Sequence, residues 1–471
     1  MNELTDSGAK KQSGRRTKNR ASKTQHHINT VANPDAAGID IGAEELVVAV
    51  PHDRDERSVR TFSTFTSGVL AMRDWLLNCN ITTVAVESTG NYWITTYDIL
   101  EEAGIEVYLV NARHVKGVPG KKTDVCDAQW LQQLHAAGLL KKSFRPAQDI
   151  IPLRYLMRHR ASLIEDSSRQ IQLMQKVLTE MNLKIQHVFS DIDGVSAQAI
   201  ITAIVAGERD VKVLAGLRDS RCRSSEQTIM EALGGNYRAE YIFVLEQSQS
   251  LWKQQLAAIA TCDEQIEALI GKIYTPSRPD AEPPATGTKS KPRPQKGKNA
   301  PSYDVLLEAK RFYGVDLSEI DGVSSGLLSV LMSEVGTAEQ LKAAFSTSER
   351  FCSWMGLCPD NRISGGKILK AKTRSVKSRL ASALRMCAFG VGNGKSKLGE
   401  YTRRMKGRLG KAEGITATAH KIARIIYAMI TNQQPYNEET AFKISPKNRE
   451  RQLLKIEKQA AQLGFKIVAL A

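Results

Sequence analysis

Short apolar runs alternate with helical patterns over residues 36–146. The runs AAGIDIG and EELVVAV predict a β-hairpin, and VRTFSTF, ITTVAVES and IEVYLVN predict further strands. Apolar spacing predicts helices around 67–79 and near 92–103, and a third helix that carries Asp124 and Asp127. Strands interleaved with helices predict an α/β domain around a mixed sheet.

The pattern changes to a heptad repeat after this domain. Apolar positions alternate at spacings of four and three from Leu153 to Val188, and a second seam of the same kind runs from Ile242 to Ile273. These seams predict two long helices. The spacing leaves three arrangements open: an antiparallel pair within one chain, pairing between chains, or two amphipathic helices packed on a globular core.

One short motif occurs twice. SDIDGVSAQAIITAIVAGE at 190–208 is echoed by SEIDGVSSGLLSVLMSEVG at 318–336, and each places an I-D-G-V-S turn between helical segments. The pattern is typical of a helix-hairpin-helix unit, whose turn offers backbone N–H groups to phosphate. A plain helix–turn–helix packing unit explains it equally well.

Composition marks the breaks between domains. Residues 1–30 hold seven Lys/Arg, two acids and almost no large apolar residues, and residues 275–301 hold seven prolines and six basic residues. We predict a disordered basic arm, an α/β domain, coiled-coil helices with an inserted helical unit, a Pro/Lys-rich linker, a helical C-terminal domain and a helical tail. Their expected bounds are 1–33, 34–146, 147–274, 275–301, 302–440 and 441–471.

The chain is basic, and most of its excess charge is concentrated in one stretch. The formal net charge of the 471 residues is +16, while residues 361–411 contain fifteen Lys/Arg and one acid, Glu400. Charge concentrated in this way predicts a polyanionic partner, most simply nucleic acid. Seven cysteines without C-x-x-C spacing predict reduced thiols, and neither a membrane span nor a signal peptide is apparent, so we expect a cytoplasmic protein.

Four acidic residues are candidates for a metal site. Asp40 and Glu87 lie in strands that should be buried, where an acid must be paired, neutralised or bound to a metal. Asp124 and Asp127 share one face of a helix. Acids on strand, strand and helix in this order are typical of an RNase-H-like nuclease core that holds Mg²⁺ or Mn²⁺ through oxygen ligands. The competing interpretation is that Asp124 caps the helix and Asp127 is solvated in its first turn.

Ser364 opens the basic stretch and is followed by two glycines, which let a backbone approach a ligand closely. A serine beside cations and a phosphate can attack phosphorus once it is activated, although S-G-G alone is more often a turn. We expect the surrounding residues to contact nucleic acid: Arg362, Gly365, Gly366, Lys367, Lys370, Lys372, Arg374, Lys377 and Arg379.

Five segments together resemble one family: GIDIGAEE, VAVESTGNYW, KKTDVCDAQWLQQL, GLCPDNRISGGKI and GITATAHKIARIIYAMI. In this order, across about 34–435, they look like the DEDD-type insertion-sequence transposases, bridge-RNA-guided serine recombinases that include relatives of the pilin-gene invertase. The resemblance implies an N-terminal RuvC-like domain, a coiled coil and a C-terminal transposase domain. It places the catalytic acids at Asp40, Glu87, Asp124 and Asp127 and the catalytic serine at Ser364.

The same resemblance implies a Mg²⁺-dependent recombinase that mobilises its own insertion sequence in a bacterial cell, acting at the nucleoid. Its expected partners are double-stranded DNA, a structured noncoding guide RNA and further copies of the chain, as a dimer or tetramer. Two departures are the length of the 275–301 segment and the additional I-D-G-V-S unit. The alternatives are a hydrolytic RuvC-like nuclease or Holliday-junction resolvase without a covalent intermediate, and a non-enzymatic nucleic-acid scaffold.

Overall fold

The computed structural model describes residues 31–88, 90–111, 124–273, 298–370, 372–443, 446–466 and 468. Within it the chain divides into two compact units, Met1–Arg145 and Pro146–Ala471. Most of the expected basic arm and of the Pro/Lys-rich linker lies outside the described residues. The last residues of the expected arm are ordered against a helix, since the Ala32 and Asn33 amides donate to the Ala136 carbonyl at 2.7 and 2.9 Å.

A five-stranded mixed sheet forms the centre of the first unit. Its strands are β1 Ala36–Ile41, β2 Glu45–Ala49, β3 Val59–Ser63, β4 Thr83–Glu87 and β5 Glu106–Val110. Their order is β3-β2-β1-β4-β5. The predicted hairpin is present, because β1 and β2 pair antiparallel, and β1, β4 and β5 are parallel to one another.

Helices cover both faces of this sheet. They are α1 Thr66–Asn78, α2 Trp93–Glu102 and α3 Asp124–Ala136. Ile39, Val84 and Val86 pack with Met72 and Leu100 into the core beneath α1 and α2. On the opposite face Ala85 packs with Leu131 of α3. Strand residues of alternating parity therefore serve two separate cores, which explains the apolar runs in the sequence.

Two long helices dominate the start of the second unit: α4 Ile150–Glu180 and α9 Ala239–Ile273. They pair antiparallel within the chain, since the Cys262 thiol reaches the Leu156 carbonyl at 3.5 Å while Met174 packs with Trp252 further along. The first of the three open arrangements is therefore present. The first seam is shorter than predicted, because α4 ends at Glu180 and Asn182 adopts a left-handed φ of 58°.

Short helices fill the space between the two long ones in sequence. They are α5 Ile185–Val188, α6 Val195–Val205, α7 Val211–Gly216 and α8 Glu226–Ala232. Ile200, Leu214 and Ile229 join Leu178 of α4 and Leu245 of α9 in one buried cluster. The C-terminal end of α4 and the N-terminal part of α9 therefore belong to a small globular core. The globular-core interpretation describes this end of the two helices, and the antiparallel-pair interpretation describes the other end.

In the described part of the remaining chain, the regular elements are helices apart from one hairpin. It contains α10 Val305–Tyr313, a 3₁₀ turn Leu317–Glu319, α11 Ser325–Val335, α12 Ala338–Ala344, α13 Ser348–Trp354, β6 Arg362–Ser364, β7 Lys367–Lys370, α14 Arg379–Val391, α15 Lys397–Leu409, α16 Lys411–Asn432, α17 Glu438–Ala441 and α18 Pro446–Gln462. The architecture confirms the predicted fold class, an RNase-H-like mixed sheet followed by a helical region.

Candidate active site

Asp40 and Glu87 lie on one face of neighbouring parallel strands. Gly38 of β1 is in register with Ala85 of β4, and each acid stands two residues further along its own strand. Because side chains two residues apart share a face, both carboxylates project on the side that α3 covers. Both residues are half-buried at the carboxyl ends of their strands. The structure therefore brings the first two predicted acids to one edge of the sheet.

Helix α3 crosses β1 in close contact, and Gly38 makes this approach possible. A Cβ atom at Gly38 would lie only 2.4 Å from the Ala128 carbonyl oxygen and from the Gln132 amide nitrogen. Further back, Gln132 Nε2 donates to the Ala36 carbonyl at 3.2 Å. Helix numbers fall as strand numbers rise, so the direction from Gly38 to Asp40 leads toward the first turn of α3.

That first turn carries the other two predicted acids. Asp127 directly precedes Ala128 and is half-buried, and Asp124 is the first residue of α3. The Asp124 side chain lies outside the described part of the chain. Among the described residues, no three His, Cys, Asp or Glu side chains are close enough together to hold a metal ion. The donor set consists of carboxylates alone, which fits a hard divalent cation.

The opposite end of α3 is fixed to the sheet by a buried histidine. His135 Nε2 lies 2.9 Å from Thr83 Oγ1, and its ring lies 4.6 Å from the Tyr108 ring. Burial lowers the pKa of His135 to about 4, so the imidazole is neutral at physiological pH. Thr83, Ala85 and Glu87 follow one another on the α3 face of β4, so this contact helps to set the height of α3 above the acids.

Ser364 belongs to the second unit and is the last residue of β6. Strands β6 and β7 form an antiparallel hairpin in which Ser364 pairs with Lys367. Its two-residue turn is Gly365-Gly366, with φ of 53° and 74°. A hairpin turn with two positive φ angles strongly favours glycine, which explains S-G-G locally. Ser364 is exposed, and the neighbouring Ile363 side chain is 62% exposed.

The basic residues near this hairpin have different environments. Lys367, Lys372, Lys377 and Arg379 are exposed, whereas the side chains of Arg362 and Lys370 lie outside the described part. Arg374, expected to contact nucleic acid, donates to the Ser353 carbonyl and, at 3.1 Å, to Ser353 Oγ. Gly365 and Gly366 have open space around them. The hairpin therefore presents an exposed hydroxyl, two glycines and the Lys367 side chain, and further exposed cations follow it in the chain.

The two I-D-G-V-S turns adopt different conformations. Helix α6 begins directly after Gly194, whose φ is −69°, whereas Gly322 has a φ of 82° and α11 begins three residues later. In the second copy the Ser324 hydroxyl caps α11 by accepting from the Leu327 amide at 3.4 Å. In the first copy a glycine occupies the cap and supplies no side chain. The sequence echo therefore does not produce two equivalent turns.

A second basic region was not apparent from the sequence. Five cations from α15, α16 and the segment after them line a cavity of about 1250 Å³, called here the C-terminal groove: Arg404, Arg408, Lys421, Arg424 and Lys443. They lie in three separate parts of the chain, two of which fall outside the basic stretch 361–411. Only the i, i+3 and i, i+4 spacing of the pairs on α15 and α16 could have indicated a shared face.

Two family models match the chain. Residues 37–183 match the DEDD-type IS110 model described as Transposase, and residues 316–402 match the model described as Transposase IS116/IS110/IS902 family. The first match covers the sheet, α3 and the whole of α4, and the second runs from the 3₁₀ turn through the Ser364 hairpin to α15. A search of curated proteins gave no match.

The chain is therefore an enzyme that acts on DNA. More narrowly, it carries the transposase domains of the IS110 family, whose DEDD domain implies the use of a divalent metal. This confirms the enzymatic prediction and excludes the non-enzymatic scaffold. No helix among the described residues is long and apolar enough to cross a membrane.

Proposed function

We propose that this chain mobilises its own insertion sequence by cutting and rejoining DNA through a covalent bond at Ser364. The observation that carries the covalent step is the position of Ser364, whose hydroxyl is exposed beside a glycine turn within the most basic stretch of the chain. A hydrolytic nuclease needs carboxylates but no such serine, so the position favours a transferase. The reaction would take place on bacterial chromosomal DNA in the cytoplasm.

The acids would serve the phosphate. Asp40, Glu87, Asp124 and Asp127 would hold Mg²⁺ or Mn²⁺, which when bound supplies positive charge to a scissile phosphate. Two contacts position α3 relative to the strands and support this proposal. Gly38 lets α3 lie directly against β1, and His135 fixes the far end of α3 to β4 through Thr83. The orientation of α3 then determines where Asp124 and Asp127 stand relative to Asp40.

The proposed covalent step is balanced without an external energy source. Ser364 Oγ gives its proton to water and attacks phosphorus, the P–O3′ bond breaks, and the 3′ oxygen takes a proton and leaves as a hydroxyl. In the second step a 3′ hydroxyl of the partner duplex attacks the phosphoserine, the P–Oγ bond breaks, and Ser364 regains its proton. Each step exchanges one phosphate ester for another, so the strand is rejoined without ATP.

The exposed cations of the hairpin region would bind and orient the DNA. Lys367, Lys372, Lys377 and Arg379 are exposed and would contact phosphates. We expect the same role for Arg362 and Lys370. The Arg374 guanidinium also contacts Ser353 of α13, so it would help fix the hairpin to the helical domain. Site choice would come from a structured RNA that pairs with donor and target DNA, and catalysis from a dimer or tetramer, as the family resemblance implies.

A trap for the covalent intermediate tests this proposal. The full-length protein is expressed in cells that also carry DNA with the flanks of its own element. The cells are lysed in denaturant, and the lysate is assayed for DNA that stays covalently attached to the polypeptide. We expect DNA attached at Ser364, its loss in Ser364→Ala and Asp40→Ala, and its loss on chelation of divalent metal. Ser375→Ala removes another exposed serine of the basic stretch and should leave the adduct unchanged.

The outcomes separate the two enzymatic interpretations. Strand transfer that persists in Ser364→Ala would refute the covalent step. Cleaved DNA that carries no protein would instead identify a hydrolytic centre that uses water and the carboxylates, as in a junction resolvase. Binding of DNA by both alanine variants, measured separately, establishes that a lost adduct reflects lost chemistry and not lost folding.

A further inference from the structure

The C-terminal groove combines positive charge with aromatic side chains. Four aromatic residues line it beside the five cations: Tyr401, Tyr427, Tyr436 and Phe442. Helices α15 and α16 and the segment 434–443 form its walls. Its volume of about 1250 Å³ would accommodate several nucleotides or a comparable extended ligand. The whole groove lies within the second unit.

The charge of the groove is largely uncompensated. No Asp or Glu is among the lining residues that the structure describes. Among the described residues, Arg404, Arg408 and Lys443 have no carboxylate partner, and Arg424 pairs with Glu349 at 3.3 Å through side chains that are both more than half exposed. An exposed pair of this kind contributes little and exchanges readily for a phosphate. The groove therefore attracts an anionic ligand with many charges.

The aromatic rings offer stacking surfaces at the same place. Tyr401, Tyr436 and Phe442 are half-buried, and the Tyr401 and Phe442 rings lie 6.0 Å apart at an angle of 55°. The Arg404 guanidinium lies 5.6 Å from the centre of the Tyr401 ring. Cations that follow a backbone, interleaved with rings on which bases stack, are the means by which proteins hold unpaired nucleic-acid strands.

We propose that the C-terminal groove binds unpaired nucleotides of a nucleic-acid strand. Phosphates contact Arg404, Arg408 and Lys443, and a base stacks on Tyr401. A duplex keeps its bases stacked on one another and cannot use the rings, so the groove prefers an unpaired strand. The inference deepens the proposed function by giving it a second nucleic-acid surface, and it requires neither Ser364 nor the carboxylates.

The test measures binding alone, with the full-length Ser364→Ala protein, so that failure of the proposed chemistry leaves the result unaffected. Fluorescence anisotropy gives Kd for unpaired DNA, unpaired RNA of the same sequence, and duplex. We expect Arg404→Gln/Arg408→Gln to weaken binding of an unpaired strand about tenfold. The slope of log Kd against log salt should fall by about 1.4, which is two phosphate contacts at 0.7 each. Comparing the RNA and DNA strands then identifies which source the groove prefers.

Matched variants separate a local role from general charge or folding effects. Lys253→Gln/Lys272→Gln removes the same charge from exposed positions of α9 and should change binding less than twofold. Tyr401→Leu should weaken binding of an unpaired strand about tenfold, whereas Tyr401→Phe keeps the ring and should restore it. Equal losses in the α9 and groove variants, a duplex preferred over the unpaired strand, or unchanged binding in Tyr401→Leu would each overturn the proposal.

Discussion

The close approach of α3 to β1 at Gly38 makes a sharp prediction about this residue. Gly38→Ala adds a single methyl group between β1 and α3. That group would meet the Ala128 carbonyl oxygen and the Gln132 amide nitrogen at 2.4 Å, and the Leu131 Cβ at 2.9 Å. Two of these three neighbours are backbone atoms, which cannot rotate away as the end of a flexible side chain can. The helix must therefore move as a body or the sheet must deform.

The size of the displacement follows from the same contacts. Ordinary van der Waals contact for a Cβ atom begins near 3.4 Å, so α3 must withdraw from β1 by about 1 Å. Overpacking of this kind costs about 1–3 kcal/mol, and we expect the upper part of that range because backbone is involved. The first turn of α3 carries Asp124 and Asp127, so the carboxylates move relative to Asp40. A misplacement of about 1 Å reduces catalysis about 100-fold.

Strand transfer and hydrogen exchange together measure this effect. We expect Gly38→Ala to lower the rate of strand transfer about 100-fold and to increase amide exchange in β1 and α3, while DNA binding stays within a few-fold. Gly271→Ala is the control, because a Cβ there would meet no atom of the described residues within 4 Å. A rate for Gly38→Ala within threefold of the unsubstituted protein would refute the argument that the position of α3 controls the carboxylates.

Two further predictions concern stability. Arg160 and Asp263 form a buried ion pair between α4 and α9, with side chains 9% and 3% exposed. Arg160→Met leaves the Asp263 charge buried and unpaired, so it should lower the free energy of unfolding of the second unit by about 3–5 kcal/mol, measured by urea denaturation, and Arg160→Met/Asp263→Leu should recover most of that loss. A double variant no more stable than the single one would show that the pair itself is not the cause. His135 has its pKa lowered from 6.5 to about 4 by burial, so the unfolded chain binds more protons and the first unit should lose about 1.4 kcal/mol per pH unit as pH falls from 6.5 toward 4. His135→Gln should flatten this dependence in hydrogen exchange of β4, and an unchanged slope would refute the assignment.

The strands and their acids were predictable because their signal is local. Short apolar runs marked β1 and β4, and an acid inside each run was conspicuous at Asp40 and Glu87. The sequence could not show that both acids project on the same face of the sheet. Both acids face α3 because Gly38 is in register with Ala85, and register depends on pairing between strands far apart in the chain.

The heptad spacing predicted a first helix that is longer than the helix in the structure. The spacing of fours and threes continues through Met181, Ile185 and Val188, but α4 ends at Glu180. Asn182 turns the chain in a left-handed conformation, and the three apolar residues then pack into the cluster around α6 and α8. Burial satisfied their pattern without a continuous helix. Asn after a helix is a recognised stop signal, and here it outweighs the periodicity.

The C-terminal groove was invisible for a different reason. Counting charge along the chain located residues 361–411, where cations are dense, but a surface is assembled by packing. Arg404 of α15 faces Lys421 and Arg424 of α16 only because the two helices lie side by side, and Phe442 closes the groove from a later segment. Counting charge along the sequence therefore identified the basic stretch 361–411 but not the C-terminal groove, to which three separate elements contribute.

Asp124 and Asp127 are interpreted either as metal ligands or as a helix cap and a solvated first-turn acid. Both interpretations place the two acids in the first turn of α3, but they differ in what the strands beneath that turn should carry. Carboxylates in a first turn are favoured by the helix dipole whether they face solvent or a cation, so the position of α3 alone cannot distinguish them. If the two acids were only solvated caps, the residues of β1 and β4 beneath α3 would not need to be acidic. Here Gly38 lets α3 lie directly against β1, and Asp40 and Glu87 stand two residues further along β1 and β4, on the face that α3 covers. Two half-buried acids on the strand face that α3 covers are costly unless they are paired or bind a cation, and this cost is the reason that we propose the catalytic interpretation.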